Sequence, residues 1–492
     1  MTDLQTTSFS EVPYDWRKPG NYMEVRPNYQ NMGLVDFPAK AVLFVQMLAT
    51  GTAEPKKLYQ ITRKEEGSVL FGAGSVGADM VSTFKGINRT NAVYAIALPD
   101  VENAEAASGS FEFTGEGGSG NICLYIDDTR VRIPVSGSMS VADIAVAAAA
   151  AINKLADLPV TATAEAAKVT LTAKHKGGVG NGIMLSLNRR QDEVTPKGII
   201  IAVTPMSGGN ANPELKELLD VIANEWFTDI AIAWNDAANL EALAADLKER
   251  YTAMGRKDGH GYCGSHGTFG EMVTKGNVTN APQLSIIGGK NAPSASWKWA
   301  AALCAIATFQ LTNDPARQLR SLAVAGLMAP ATEDRFTEEE QDLLLRAGIS
   351  TFNVLDDGTV TLDRIITTYK KSNLGVTDTA WLDIMVPKTM TRLRYDWAAY
   401  VSLTYPRHKL ADDDSVAAEH SDAVVTPKRM HGSWGARCQI YERKGWIERS
   451  KETVADSAFW RSTDSRDRME ARQRVIVIGN MMVFVGALEF DA

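Results

Sequence analysis

The hydrophobic rhythm of the chain changes several times, and each change predicts a different kind of layer. Residues 39–50 (AKAVLFVQMLAT) form a near-continuous apolar run of strand length, the stretch 79–84 starts a helix, and 92–98 (AVYAIAL) is a second buried strand. From Ser108 the texture turns to alternation. SFEFTG, NICLYIDDTRVRIPVSG and KVTLTAKHKG place apolar and polar residues in turn, as antiparallel strands with one wet face do. Asp127-Asp128 is a tight-turn signal between two of these strands, and Val141–Leu155 is an alanine-rich helix. Glycine-rich joints at 115–120 and 177–182 give the region the look of an inserted α+β module.

After Pro196 the rhythm becomes strand–helix–strand. GIIIAVT is an apolar strand, Asn212-Pro213 opens a helix to about Trp226, and TDIAIAW is a further buried strand. Asp236 caps a helix to Tyr251, and Gln283–Ile287, the helix Ala295–Phe309 and Leu322–Leu327 continue the alternation. This predicts an α/β layer with a largely parallel sheet, joined across the insertion by the strands of 39–98. Glu338–Glu340 reads as the acidic first turn of a helix starting after Thr337. Residues 349–369 form a hairpin turning at Asp357-Gly358, and Thr379–Thr404 is a long helix interrupted at Pro387.

Both ends differ from the middle. Residues 1–30 carry Pro13, Pro19 and Pro27 and no periodicity, yet Tyr14, Trp16, Tyr22 and Tyr29 are costly to leave in water. An extended arm lying on another surface fits them. At the other end RQRVIVIGNMMVFVGALEFDA gives two β-forming runs broken at Gly479-Asn480. Its apolar members Val475, Ile476, Val477, Ile478, Met481, Met482, Val483, Phe484 and Val485 would be an aggregation hazard as a free edge. The expectation is a strand lent to a neighbouring copy. At about 3.3 Å per residue, the last twenty residues reach roughly 65 Å.

The predicted fold class is therefore multidomain, α/β and α+β: an α/β core, an inserted antiparallel α+β domain, and extended N- and C-terminal arms. The expected segments are an arm at 1–30, core at 31–107, insertion at 108–195 and core again at 196–348. A C-terminal domain at 349–471 and an arm strand at 472–492 complete the chain.

Composition narrows the chemistry. The chain has 492 residues, 45% hydrophobic and 22% charged, which suits a globular protein with several cores. A net charge of −8 argues against bulk nucleic-acid binding. Cys123, Cys263, Cys304 and Cys438 are scattered, as reduced thiols are. Neither a signal-peptide pattern nor an apolar run of about 18 residues is present, so no membrane insertion is expected.

Candidate sites are few. Gly72-Ala73-Gly74-Ser75-Val76-Gly77 matches GxGxxG, but the preceding KEEGSVL is short and charged where the dinucleotide fold needs a strand. The bland reading is a helix N-terminus in a glycine-rich chain; the competing one is a cytosolic dinucleotide enzyme. His260, Cys263 and His266 have spacings of three but lack a fourth ligand or a partnering Glu, and read as a surface loop. No GxSxG or HExxH occurs. We therefore expect no catalytic, cofactor-binding or metal-ligating residue. Lys388, Arg392 and Arg394 mark one basic stretch, and Arg461, Arg466, Arg468, Arg472 and Arg474 another. Either is a solvated surface or a strip for an acidic partner.

Six blocks carry a resemblance: LFGAGS (70–75), LPVTATAEAAKVTLTAKHKGGVGN (158–181), SGGNANPEL (207–215), LAVAGLMAP (322–330), GISTFNVLDDGTVTLDRIITTY (348–369) and the terminal IGNMMVFVGALEF. With these the chain resembles, over nearly its whole length, the tail sheath proteins of contractile-tailed bacteriophages of the Mu-like kind. The resemblance implies a helical polymer around a tail tube that contracts to drive the tube through a host envelope. It implies partners in other copies of the chain, the tube protein, and baseplate and terminator proteins. It implies assembly in the host bacterial cytoplasm and residence in the virion. On it, 108–195 is an outward protrusion, 349–471 faces the tube, and Lys388, Arg392 and Arg394 are candidates for that contact. A non-contractile virion structural protein is the alternative in the same class.

Overall fold

From Ala41 to Met47 every side chain is buried, so this strand needs covering on both faces and neighbours on both edges. The computed structural model, which describes residues 15–23 and 33–490, gives it both. The chain forms two units, 38–388 and a second built from 1–37 with 389–492.

The first unit opens with β1 (Lys40–Met47), β2 (Tyr59–Ile61), α1 (Glu66–Phe71), α2 (Val76–Ile87) and β3 (Ala92–Pro99). Next come β4 (Ala106–Gly115), β5 (Gly120–Ile126), β6 (Thr129–Val135), α3 (Val141–Asn153), β7 (Val160–Glu165), β8 (Lys168–Lys176), β9 (Leu185–Leu187) and β10 (Ile199–Ser207). The core then resumes with α4 (Lys216–Val221), β11 (Asp229–Ile232), α5 (Ala237–Arg250), β12 (His260–Gly264), α6 (Phe269–Gly276) and β13 (Leu284–Ile287). It ends with α7 (Ser296–Asn313), α8 (Glu338–Ala347), β14 (Ile349–Ser350), and the hairpin β15 (Phe352–Val354) and β16 (Val360–Leu362).

Seven strands form the main sheet in the order β14-β13-β12-β11-β1-β3-β2. All pairs are parallel except β2 on β3, and Val42 sits level with Ile230 on one side and Tyr94 on the other. The parallel sheet predicted across the insertion is thus present, with its buried strands β1 and β11 at the centre. The insertion carries two antiparallel sheets, β10-β4-β8-β7 and β6-β5-β9, with α3 packed on strands of both. Asp127 turns β5 into β6 with φ 52°, and Asp357-Gly358 turns the β15–β16 hairpin with Gly358 at φ 83°.

The second unit holds the rest of α9 (Met385–Thr404) from Thr389 on, then β17 (Lys409–Leu410), α10 (Val416–His420), β18 (Val424–Val425) and α11 (Pro427–Arg443). It closes with α12 (Ser450–Ala455) and the antiparallel ribbon β19 (Ala458–Arg461) and β20 (Met469–Arg472).

Several expectations change. Pro387 does not interrupt a helix; it lies in the first turn of α9, where its missing N–H costs nothing. The helix expected from Asn212 starts only at Lys216. Asn212 Nδ2 instead donates to Asp236 (2.8 Å) and Leu215 N to Asn239 Oδ1 (2.7 Å), which holds the loop out of helical form. Leu322–Leu327 is not a strand of the main sheet, and Ala323 bridges Thr361 of the hairpin. No unit boundary falls at 349, because Ile349-Ser350 is the edge strand of the main sheet. His260 and Cys263 lie not on a surface loop but on β12, buried at every position.

Candidate assembly interface

In an open parallel sheet, ligands enter at the carboxyl ends of the strands where successive connections diverge. Here that point lies between β1, whose connection runs to β3, and β11, whose connection runs to β12. The chain's own side chains fill it. Gln46 Nε2 donates to Asp100 Oδ1 (2.7 Å) and to the Lys176 carbonyl (2.8 Å), while its Oε1 accepts from Trp234 Nε1 (3.0 Å). His175 Nδ1 lies 2.7 Å from Asp100 Oδ1, and its Nε2 accepts from the Val76 backbone amide at 3.1 Å.

Val76 opens α2, the helix that follows the GxGxxG match. Its first-turn amides are therefore taken by His175 and by the Ser75 N-cap rather than left for a phosphate. Helix α1 precedes the motif where the dinucleotide fold has a strand. Gly74, at φ 76°, is needed for packing: a Cβ there would lie 2.3 Å from the Leu158 carbonyl oxygen. The match marks where the insertion seats on the core.

Two members of the zinc-like trio, His260 and Cys263, lie buried on β12. His260 Nε2 is 2.9 Å from Ser285 Oγ. Burial pushes the Cys263 thiol up to about 12 and the His266 imidazole down to about 4. Among the described residues no group of three or more His, Cys, Asp or Glu side chains is arranged to hold a metal ion, and no helix is long and apolar enough to cross a membrane.

At the C-terminus the structure divides what the sequence joined. Val475, Ile476, Val477 and Ile478 are half-buried against the loop after α11. Glu448 N donates to Ile476 O (2.9 Å), Ile478 N to Trp446 O (3.3 Å), and Ile447 bridges Val477. This half pairs within its own unit. Beyond Met481 and Met482, Val483, Phe484, Val485, Leu488 and Phe490 are between 76% and 99% exposed and form no strand in their own chain. The segment from Val483 on is thus exposed in the isolated chain.

At the N-terminus, Tyr14 and Tyr29 lie outside the described residues. Trp16 and Tyr22 pack edge to face at 6.0 Å, with Tyr22 Oη donating to Lys18 O (3.3 Å), and both rings stay half exposed. The root of this arm, 33–37, is held by side chains of α9 and α11. Val35 N donates to Asp396 Oδ1 (2.9 Å), and Arg437 Nη1 donates to Gly33 O (3.2 Å). Asp396 and Arg437 are wholly buried as an ion pair, and Tyr441 Oη donates to the same carboxylate at 2.6 Å. Burial first, then the neighbouring Asp396, pushes the Tyr441 phenol far up, so it remains a donor.

The tube-facing expectation for two basic residues is corrected. Lys388 Nζ is bound to Asp229 Oδ1 (2.5 Å) and Thr228 O (3.0 Å) beneath the Tyr262 ring. Arg392 is buried, donating from Nη2 to Val35 O at 2.8 Å. Neither head group is offered to a partner; Arg394 is half-buried. In the second cluster Arg461 pairs with Asp412, Arg468 with Glu470 and Arg474 with Asp456, so these charges largely serve their own surface.

Sequence reasoning missed the Asp396–Arg437–Tyr441 cluster. A signal existed: Met430, Trp434, Arg437 and Tyr441 recur at helical spacing, so Arg437 falls within the apolar stripe of α11, where an unpaired charge is untenable.

Residues 208–368 match the family model of the phage tail sheath protein central domain. The Mu-like prophage FluMu tail sheath protein of Haemophilus influenzae is 29% identical over 98% of this chain and 99% of its own length. Among solved structures, a chain of the anti-feeding prophage baseplate shares the fold, with a TM-score of 0.51 at 10% identity over 97% of this chain and all of its own. The sheath tail protein of Desulfitobacterium hafniense aligns over 93% of this chain and all of its own at 12% identity, with a TM-score of 0.48. A relative matched from end to end, together with the central-domain match across the second half of the core, makes the chain similar to the tail sheath proteins of contractile bacteriophages, a Mu-like one among them.

Proposed function

We propose that this chain is the repeating subunit of a sheath that polymerises helically around a tail tube and contracts to drive the tube through a host envelope. The observation that carries this is the segment Val483–Phe490, a β-forming apolar run exposed in the isolated subunit. Added as a strand to a neighbour's sheet, it gains backbone hydrogen bonds and buries its side chains at once. The ribbon β19–β20 has only two strands, a number that gains stability when a third joins. The aromatic segment around Trp16 and Tyr22 lies on a neighbour in the same way.

Arms of this kind keep subunits connected while rigid units re-pack. The energy of contraction comes from apolar surface buried in the shorter lattice, about 25 cal/mol per Å² summed over many copies. No nucleotide is required, and the role is structural rather than catalytic. The insertion, with its two sheets and α3, points outward as a protrusion. Partners are other copies of the chain, the tube protein, and the baseplate and terminator proteins; Arg394, half-buried on α9, is a basic candidate for tube contact. Assembly takes place in the host cytoplasm, and the product resides in the virion.

Electron microscopy of the purified chain tests this. Tubes or rings are expected, in two lattice states of different pitch and diameter. Protein that stays monomeric by sedimentation at high concentration overturns the proposal, and a single rigid lattice favours a non-contractile virion component.

A further inference from the structure

The two arms leave the second unit from one place, and one buried side chain touches both roots. Arg392 donates from Nη2 to Val35 O, and its guanidinium lies over the Phe37 ring at 5.0 Å. It also lies 5.5 Å from the Trp446 ring. Trp446 is the residue whose carbonyl accepts from Ile478 N at the foot of the C-terminal arm. Trp446 stacks on Tyr441 at 6.1 Å and 18°, and Tyr441 donates to Asp396, which takes Val35 N. A closed circuit therefore runs from Val35 through Arg392 to Trp446 and back through Tyr441 and Asp396. Arg392 Nε and Nη1 have no hydrogen-bond partner among the described residues, so the guanidinium is held by one carbonyl and two ring faces. Lysine, without a flat cation, cannot satisfy both rings and the carbonyl from this position.

We propose that Arg392 is a positioning residue for assembly, tying the roots of the N- and C-terminal arms into one node. The inference rests on the reading of the arms as intersubunit connectors. A pull on either arm then passes to the other across Arg392 and Trp446, within the second unit. Each subunit becomes a junction of the mesh rather than a bead with two independent tethers.

The test is amide hydrogen exchange on the full, unassembled chain. Arg392→Met is expected to speed exchange at least tenfold at both Val35 and Ile478, although neither amide bonds to Arg392. By reciprocity, Trp446→Leu is expected to speed exchange at Val35 by a similar factor. Arg392→Lys should restore protection only in part. Met430→Ala, a cavity elsewhere on α11, controls for general loosening and should leave exchange at the two amides unchanged. If Ile478 stays protected in Arg392→Met, or Val35 in Trp446→Leu, the node is overturned. Polymers do not enter this measurement, so its failure leaves the sheath reading standing, and a chain that never polymerises leaves the coupling measurable.

Discussion

Two truncations separate the part of the C-terminal segment that belongs to its own unit from the part made for a neighbour. A chain ending at Gln473 loses Val475–Ile478, four half-buried β-branched side chains and the two backbone bonds to Trp446 and Glu448. Half-burial of four such side chains is worth about 4 kcal/mol, and two hydrogen bonds about 2 kcal/mol more. Freeing four residues returns about 4 kcal/mol of backbone entropy at the low end of its range. The net loss is about 2 kcal/mol. A chain ending at Met482 loses Val483, Phe484, Val485, Leu488 and Phe490, each 76% exposed or more, so its subunit stability should change by about 0. Hydrogen exchange in α11 and α12 reads the difference: about thirtyfold faster opening for the shorter chain and none for the longer. Sedimentation and electron microscopy read assembly, and both chains should fail to form long polymers. Equal destabilisation by the two cuts would mean that Val483–Phe490 belongs to its own core. Normal polymers from the chain ending at Met482 would remove the strand-lending role altogether.

Other outcomes follow from buried groups. Asp396→Asn strands the wholly buried Arg437 guanidinium without its counter-charge, at a cost of about 3–5 kcal/mol; exchange in α11 should rise by more than a hundredfold, and near-native protection would contradict the account of the arm root. Burial holds His266 down to about 4 and His260 well below its ordinary 6.5. Between pH 6.5 and about 4 the unfolded chain therefore binds protons that the folded chain refuses. Stability should fall as pH drops through that window, by up to about 1.4 kcal/mol per pH unit for each histidine, and a flat thermal midpoint would sink the claim. Gly74→Ala forces a Cβ toward the Leu158 carbonyl at positive φ, and a loss of about 1–3 kcal/mol in thermal unfolding is expected; an unchanged midpoint would contradict the close packing described. Calorimetry with NAD, NADP or ATP should give no binding, and tight binding would revive the dinucleotide reading of Gly72–Gly77.

The elements the sequence announced are those set within a few residues. Asp236 caps α5 through Asn239 N, and Thr337 caps α8 through Glu340 N with Glu340 completing the box. Asp127-Asp128 and Asp357-Gly358 turn their hairpins because turn chemistry is local. The apolar runs at β1, β3 and β11 declared a doubly covered parallel sheet, since strands with no polar face have no other home.

What only the tertiary structure decided is where charged and apolar surplus goes. Lys388 and Arg392 looked like surface cations because their partners, Asp229 and Val35, lie 159 and 357 residues away in the chain. The GxGxxG match lost its ligand reading to His175, which reaches Val76 across 99 residues. The sequence assigned both β-runs of the last twenty residues to a neighbouring copy, but pairing to Trp446–Glu448 claims the first run and leaves Val483–Phe490 exposed. Burial pattern and capping are properties of neighbouring residues and can be read along the chain. The destination of a guanidinium or of a spare strand depends on which distant surface folding brings beside it.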